Sequence, residues 1–291
     1  MRDFHLLLIL RFFQGVGAAS LGSLNVTIIG DLYSGKVRSS AMGYNASVLS
    51  LGTGSYPAIG GALAMFGWYF PFFLPMLALP VGYLVLFHLK NPEPKNNQRL
   101  REYLIQVWRS IDLQVICLMV ASTITFIILY GSYLTYYPLL IGKSFGGSSL
   151  VIGLILSIMS ITTAIAAAQL GKLIKIFSEP TLVKASFVLY GIALLIIPQI
   201  TNIWLLAIPS VIFGIAHGIN IPSIQTLLAG LASVEHRAAF MSVNGMVLRL
   251  GQTLGPLLIG LFFTVGGFSY AFYGGAVIAA GMFAFSLVCM K

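Results

Sequence analysis

Long apolar runs alternate with short polar segments along the whole chain. Each of nine runs is close to the roughly 20 residues that a helix needs to cross a bilayer. They lie near residues 6–29, 40–65, 69–88, 113–137, 150–170, 181–199, 203–229, 240–265 and 270–290. The connections lack the alternating pattern of barrel strands, so the runs indicate helices. The pattern therefore predicts an all-α, polytopic membrane protein of about nine spans.

One longer polar segment, residues 89–112, interrupts this pattern. Pro92 and Pro94 end the third run, and apolar residues then recur at helical spacing between arginines. This spacing predicts a short amphipathic helix on the membrane surface, with a solvated linker as the alternative. We predict a partial N-terminal half at 1–88, this linker at 89–112, and a six-helix C-terminal half at 113–291.

A gapless internal repeat supports two related halves. Residues 15–61 and 214–260, which are 199 positions apart, are identical at 13 of 47 positions, including Arg38 with Arg237 and Asn45 with Asn244. Internal duplication in a membrane chain is typical of transporters whose two halves surround a central substrate site. Because the repeat offset places the start of the first half before Met1, we expect roughly three further helices ahead of this chain.

Composition and charge agree with a membrane protein. Residues are 58% hydrophobic and 8% charged, whereas soluble domains have about 25% charged residues. Twelve of the 16 Lys and Arg residues fall on one side of the predicted spans and two on the other. That bias predicts that the richer side, with the C-terminus, is cytoplasmic. The net charge of +9 thus reflects topology and not nucleic-acid binding. The two cysteines lie inside runs, and no metal or cofactor is expected.

Two motifs resemble a known family. The first run carries Arg-x-x-Gln-Gly, and the second carries glycines with a Pro-x-x-Gly-Gly ending. The motif residues are Arg11, Gln14, Gly15, Asp31 and Arg38, followed by Gly43, Gly52, Pro57, Gly60 and Gly61. This set resembles the major facilitator superfamily, specifically its twelve-helix drug:proton antiporters, with this chain covering helices 4–12. Tyr56 departs from the motif, which has Gly there, and Lys175 replaces an Asp of the family's gating loop.

The resemblance implies an alternating-access transporter in the lipid bilayer and not an enzyme. It implies efflux of small amphipathic molecules or drugs with protons as the coupling ion, in a bacterial inner membrane. We expect a monomer for the full-length protein. Glycine and proline in the second run are tolerated in a bilayer, where small residues let a neighbouring helix approach closely.

Ionisable residues inside predicted spans are costly and point to a function. Arg11, Arg249 and His217 lie inside spans, while none of the seven carboxylates does. Either the partner acid lies on preceding helices or the substrate is anionic. Arg11 could also reach the interface as an anchor, and His217 could be a hydrogen-bonded core residue.

Aromatic residues recur at steps of three and four along the fourth run. Such a stripe is typical of packing or of an interfacial belt, but the resemblance implies that this helix lines the substrate cavity. The predicted cavity residues are Asn25, Phe126, Tyr130, Tyr133, His217 and Asn220. Two alternatives stay open: an organic-anion or metabolite transporter that uses Arg11, Arg249 and His217, and a transport-incompetent fragment.

Overall fold

The computed structural model describes residues 4–64, 69–88 and 111–290, and these ranges form helices and no strand. Most of the predicted amphipathic segment lies outside them. The principal helices are α1 (Phe4–Leu32), α2 (Gly35–Ala64), α3 (Ala78–His88), α4 (Leu113–Phe145), α5 (Ser149–Ala168), α6 (Glu179–Ile196), α7 (Ala207–Leu231) and α8 (Arg237–Cys289).

Side-chain caps and glycines set several helix ends. The Asp112 carboxylate accepts a 2.8 Å hydrogen bond from the Val115 backbone N–H at the start of α4, which satisfies a donor that the helix itself cannot pair. Gly146 ends α4 with a φ of 63°, a conformation that glycine adopts without strain. Gly266 and Gly267 leave helical geometry inside α8. This bend divides α8 into two parts that match the last two predicted spans.

The third predicted span differs from a continuous α-helix. Residues Phe70–Leu77 form a 3-10 helix that contains Pro75, and α3 follows directly. Proline has no N–H to donate and its ring crowds the preceding turn, which disfavours a regular α-helix at this point.

Five helices of the described residues are long and apolar enough to cross a membrane, and the fifth is the bent α8. Helix α4 contains a π-helical segment, Ile128–Tyr136. The Thr135 hydroxyl donates to the Tyr130 carbonyl oxygen at 2.6 Å within it. Such widened turns are frequent at functional sites.

Helix α7 lies at the centre of the C-terminal helices, in contact with α5, α6 and α4, while α4 packs along α8. Large aromatic side chains fill this core, including Phe187, Tyr190, Phe213 and Phe272. The N-terminal helices join it at one side, because α2 packs against α5 and α7 and α1 contacts α8. The region between these two sets of helices therefore holds the candidate site.

Candidate functional site

A buried ion pair joins the two sets of helices at one end of the bundle. The guanidinium of Arg237, at the start of α8, is paired with the carboxylate of Asp31, at the end of α1. Their side chains are only 9% and 5% exposed. The Arg237 Nε also donates to the carbonyl oxygen of Ala229 at 2.9 Å. Arg237 thus binds the last turns of α1 and α7 together.

Arg38, the repeat partner of Arg237, reaches the same acceptor from the other side. Its Nη1 donates to the Ala229 carbonyl oxygen at 3.2 Å. Carbonyl groups in the last turn of a helix have no helical partner and carry the negative end of the helix dipole. The end of α7 is therefore a favourable acceptor for two cations. We call Asp31, Arg38, Ala229 and Arg237 the arginine clasp.

Two glycines make room for these arginines. A Cβ atom on Gly30 of α1 would lie 2.7 Å from the Cδ of Arg237, and one on Gly230 of α7 would lie 2.7 Å from the Nη2 of Arg38. Each arginine therefore occupies a notch at the end of a helix from the other half. An alanine at either position would displace the arginine side chain from its notch.

Further polar contacts surround the clasp. The Ser39 hydroxyl donates to Glu179 Oε1 at the start of α6 at 2.8 Å. Burial lowers the pKa of Arg38, which precedes the apolar part of α2; nearby Arg237 lowers it further and Glu179 raises it. An arginine remains charged despite such shifts. Arg38 therefore remains charged within the clasp.

Close contact between α2 and α5 continues from the clasp toward the middle of the bundle. Gly43 lies against the Ala167 backbone and Gly171 lies against Ser40. Farther along, a Cβ on Gly54 would lie 3.1 Å from the Cβ of Ser160. The predicted motif residue Gly43 is thus a packing residue between the two halves, as small residues in membrane helices allow.

Other motif residues lie at places that the structure describes less fully. A Cβ atom on Gly15 would have no neighbour within 4 Å among the described residues, and Gly52 is half-buried. The surroundings of five further motif residues lie outside the described part: Arg11, Gln14, Pro57, Gly60 and Gly61. Their predicted roles stay predictions.

The aromatic stripe of α4 divides into two parts. Phe126 and Tyr130 are half-buried and stack with ring centroids 5.6 Å apart. Tyr133 has no exposed surface, donates to the Ser210 hydroxyl at 2.9 Å, and stacks on Phe213. Phe126 and Tyr130 therefore keep part of their surface exposed, whereas Tyr133 is enclosed between α4 and α7.

His217 and Asn220 belong to a polar network among the C-terminal helices. His217 Nδ1 lies 2.9 Å from the Tyr190 hydroxyl of α6. Asn220 is fully buried; it donates to Ser186 at 2.6 Å and accepts from the Thr125 hydroxyl at 2.8 Å. The structure thus joins these two predicted cavity residues to α6 and α4 by hydrogen bonds.

Two predicted residues lie outside that network. Asn25 donates to the Asn45 side chain at 2.7 Å, which joins α1 to α2. Arg249 is exposed on α8 and donates to Gln252 at 2.9 Å. Within the described residues, no group of His, Cys, Asp and Glu side chains has the arrangement of a metal site.

Comparison with known proteins identifies the family. The family model described as Major Facilitator Superfamily matches residues 2–142 and 119–291. The chain belongs to the Major Facilitator Superfamily. Proteins of this superfamily are membrane transporters and not enzymes, so the predicted fold class, family and absence of enzymatic function are confirmed.

Curated relatives of this superfamily member are resistance proteins. It is 24% identical to Multidrug resistance protein 2 and 25% to Multidrug resistance protein 1 of Bacillus subtilis (strain 168), over 94% of this chain and 70% and 71% of theirs. It is 22% identical to the class D Tetracycline resistance protein of Salmonella ordonez, over 87% of this chain and 65% of that protein.

A solved structure confirms the fold. The crystal structure of the human organic anion transporter MFSD10 (TETRAN) superposes with a TM-score of 0.80 at 20% identity, covering 91% of this chain and 67% of that one. At this identity the similarity establishes the shared fold.

Sequence reasoning missed most of the arginine clasp in this superfamily member. Asp31 and Arg38 were predicted as motif residues, but Arg237, Ala229 and the two notch glycines were not predicted as part of a site. The repeat contained the signal, because Arg38 and Arg237 are one of its 13 identities. Two equivalent arginines at equivalent helix starts can approach each other across a pseudo-two-fold axis.

Proposed function

We propose that this protein is a secondary active transporter that exports small amphipathic molecules, including drugs, in exchange for protons. Two observations support the proposal. The curated relatives are named as multidrug and tetracycline resistance proteins, and the arginine clasp closes one end of the interface between the two halves.

The clasp is the observation that carries the alternating-access part of this proposal. Alternating access requires a contact between halves that is stable in one state and separable in the next. A buried ion pair suits this role because it contributes little net stability over apolar packing yet accepts only one geometry. The charge distribution supports a cytoplasmic position for the clasp, and we propose that the clasp closes the cytoplasmic end of the interface between the halves.

Proton coupling is assigned to Arg11 together with an acidic partner. A guanidinium stays charged at accessible pH and cannot itself carry the proton. It can lower the pKa of a nearby carboxylate and so determine when that acid releases its proton. Arg11→Lys keeps the charge but loses the forked donor set, and Arg11→Ala loses both.

The test uses the full-length protein in proteoliposomes with an imposed pH gradient and ethidium as a probe of amphipathic cations. We expect Arg11→Ala to abolish gradient-driven ethidium transport and Arg11→Lys to retain part of it. Lys143→Ala, at the opposite end of the bundle, is the control and should transport normally. Normal transport by Arg11→Ala would exclude Arg11 from coupling.

A second candidate is the transport of organic anions. Arg249 favours it, because this arginine is exposed on α8 and pairs with Gln252, a neutral group. A charge in a span should face a partner or a water-filled cavity. Uptake of carboxyfluorescein that Arg249→Gln removes, with ethidium transport absent, would favour the anion transporter over the proton-coupled exporter.

The proposed location is a bacterial inner membrane with a cytoplasmic C-terminus. Engineered cysteines near Lys143, Asn202 and Gly267 should react with a membrane-impermeant maleimide added outside intact cells. Cysteines near Glu179 and Glu235 should react only after lysis, and the reverse pattern would overturn the orientation.

A further inference from the structure

Three buried polar atoms in the C-terminal helices have no hydrogen-bond partner among the described residues. They are the Ser122 hydroxyl of α4, the Ser223 hydroxyl of α7 and the Asn244 Oδ1 of α8. These residues are 1%, 0% and 3% exposed. An unpaired buried polar atom is costly, and a bound water or ion commonly accounts for one.

The helix register places Ser122 and Ser223 at the same depth. Thr125 of α4 is bonded to Asn220 of α7, and Tyr133 is bonded to Ser210, so the two helices run antiparallel. Ser122 lies three residues before Thr125, and Ser223 lies three residues after Asn220. Both steps go in the same direction, by about 4.5 Å. The two hydroxyls therefore lie one turn beyond the Thr125–Asn220 bond.

We call the interface of α4 with α7 and α8 the seam, and Asn244 lies at the end of this seam nearer the clasp. Gly251 of α8 packs against the α4 backbone at Thr123 and Phe126. Asn244 is seven residues earlier, which is two turns along the same face of α8. Asn244 is therefore directed toward α4, at a position about 10 Å closer to the clasp than Gly251 is.

The chemistry of this seam favours water over a metal ion. The serine hydroxyls donate and accept, and the amide oxygen accepts. The site contains no carboxylate, which a hard cation usually requires. We propose that Ser122, Ser223 and Asn244 hold internal water between α4, α7 and α8. Water there would pair the otherwise unsatisfied polar groups of three helices within the C-terminal half.

Thermal unfolding of the full-length protein tests the proposal, because the sign of the change in melting temperature depends on whether water is bound. If water bridges the hydroxyls, Ser122→Ala and Ser223→Ala each leave it short of a partner, and each should lower the melting temperature by about 2–4 °C. The double variant should lose less than the sum, since both residues hold the same water. Ser242→Ala, on the exposed face of α8, measures the helix-propensity contribution of alanine.

If the seam holds no water, the change in melting temperature should have the opposite sign. Each alanine would then remove an unpaired hydroxyl and raise the melting temperature above that of Ser242→Ala, which would overturn the proposal. A rise in melting temperature with sodium over choline chloride that the double variant abolishes would also overturn it, in favour of a cation.

Radiolytic labelling in ¹⁸O-water provides a readout independent of stability. X-ray-generated hydroxyl radicals label side chains next to bound water, even in a buried core. Leu118 is fully buried one turn from Ser122 on α4, and we expect ¹⁸O incorporation there that the double variant reduces. No label at Leu118 in the wild-type protein would contradict the proposal.

Discussion

Helix α2 and the first part of α8 are two copies of one sequence element with different surroundings. In α8, Gly251 and Gly255 pack against the backbone of α4. In α2, Gly43 packs against the backbone of α5, which belongs to the other half; the repeat equivalent of Gly43 is Ser242. Gly251 and Gly255 therefore pack within the C-terminal half, whereas Gly43 packs between the two halves.

The two repeat arginines show the same divergence. Both donate to the Ala229 carbonyl oxygen, but among the described residues only Arg237 forms an ion pair with a carboxylate, that of Asp31. The repeat equivalent of Asp31 is Gly230, which instead forms the notch for Arg38. One copy thus supplies an ion pair and the other supplies space. Duplication preserved the arginines, and the differing partners made the clasp asymmetric.

The repeat asparagines differ in a similar way. Asn45 accepts a hydrogen bond from Asn25, whereas Asn244 Oδ1 has no partner among the described residues. The position equivalent to Asn25 is Ile224. A polar pair in one half has therefore become a single polar group in the other.

The largest expected effect concerns Arg237, whose removal leaves Asp31 buried without a partner. Arg237→Ala should destabilise the closed state by about 3–5 kcal/mol. Cysteine accessibility at the clasp end should rise sharply in the full-length protein. The exchange Asp31→Arg with Arg237→Asp should restore protection in part, and unchanged accessibility in Arg237→Ala would show that the clasp does not close the interface.

The next effect concerns the glycine contact between α8 and α4. A Cβ at position 255 would lie 2.8 Å from the Ile127 carbonyl oxygen, which is backbone and cannot move aside. Gly255→Ala should cost about 1–3 kcal/mol of stability by overpacking. Gly245→Ala is the matched control on the same helix, because nothing lies within 4 Å of its Cβ. Equal unfolding curves for the two variants would contradict the close α4–α8 contact.

A smaller effect is expected for Arg38. Arg38 is half-buried, and Arg38→Ala removes one hydrogen bond, to the Ala229 carbonyl oxygen. The substitution should therefore weaken closure by about 1 kcal/mol. Measured in the same accessibility assay, it should shift less than Arg237→Ala. An equal or larger shift in accessibility would show that Arg38 contributes at least as much to closure as Arg237 does.

The smallest effect concerns the asparagine pair. Asn25→Ala removes the exposed bond to Asn45 and should lower the free energy of unfolding by about 0.5–1.5 kcal/mol. Chemical unfolding of the full-length protein measures this loss. In a double-mutant cycle, the losses of unfolding free energy in Asn25→Ala and Asn45→Ala should not be additive. Full additivity would show that the bond between the two side chains contributes nothing to stability.

Sequence patterns were sufficient for the helices, the family and the repeat. Runs of apolar residues must become helices in a bilayer because every backbone polar group has to be paired locally. Gly266 and Gly267 separate two spans by their own backbone freedom. These features depend on neighbours along the chain, so they can be inferred without coordinates.

Tertiary structure alone decided which partner each repeated residue meets. The sequence shows that Arg38 and Arg237 occupy equivalent positions of the repeat. Only the packing of the helices reveals that both donate to the Ala229 carbonyl oxygen. Likewise, His217 and Asn220 were predicted as cavity residues, and only the structure shows that they are hydrogen-bonded to side chains of α6 and α4. Helix rotation and register depend on the fit of side chains from distant segments, and a single sequence does not contain that geometry in readable form.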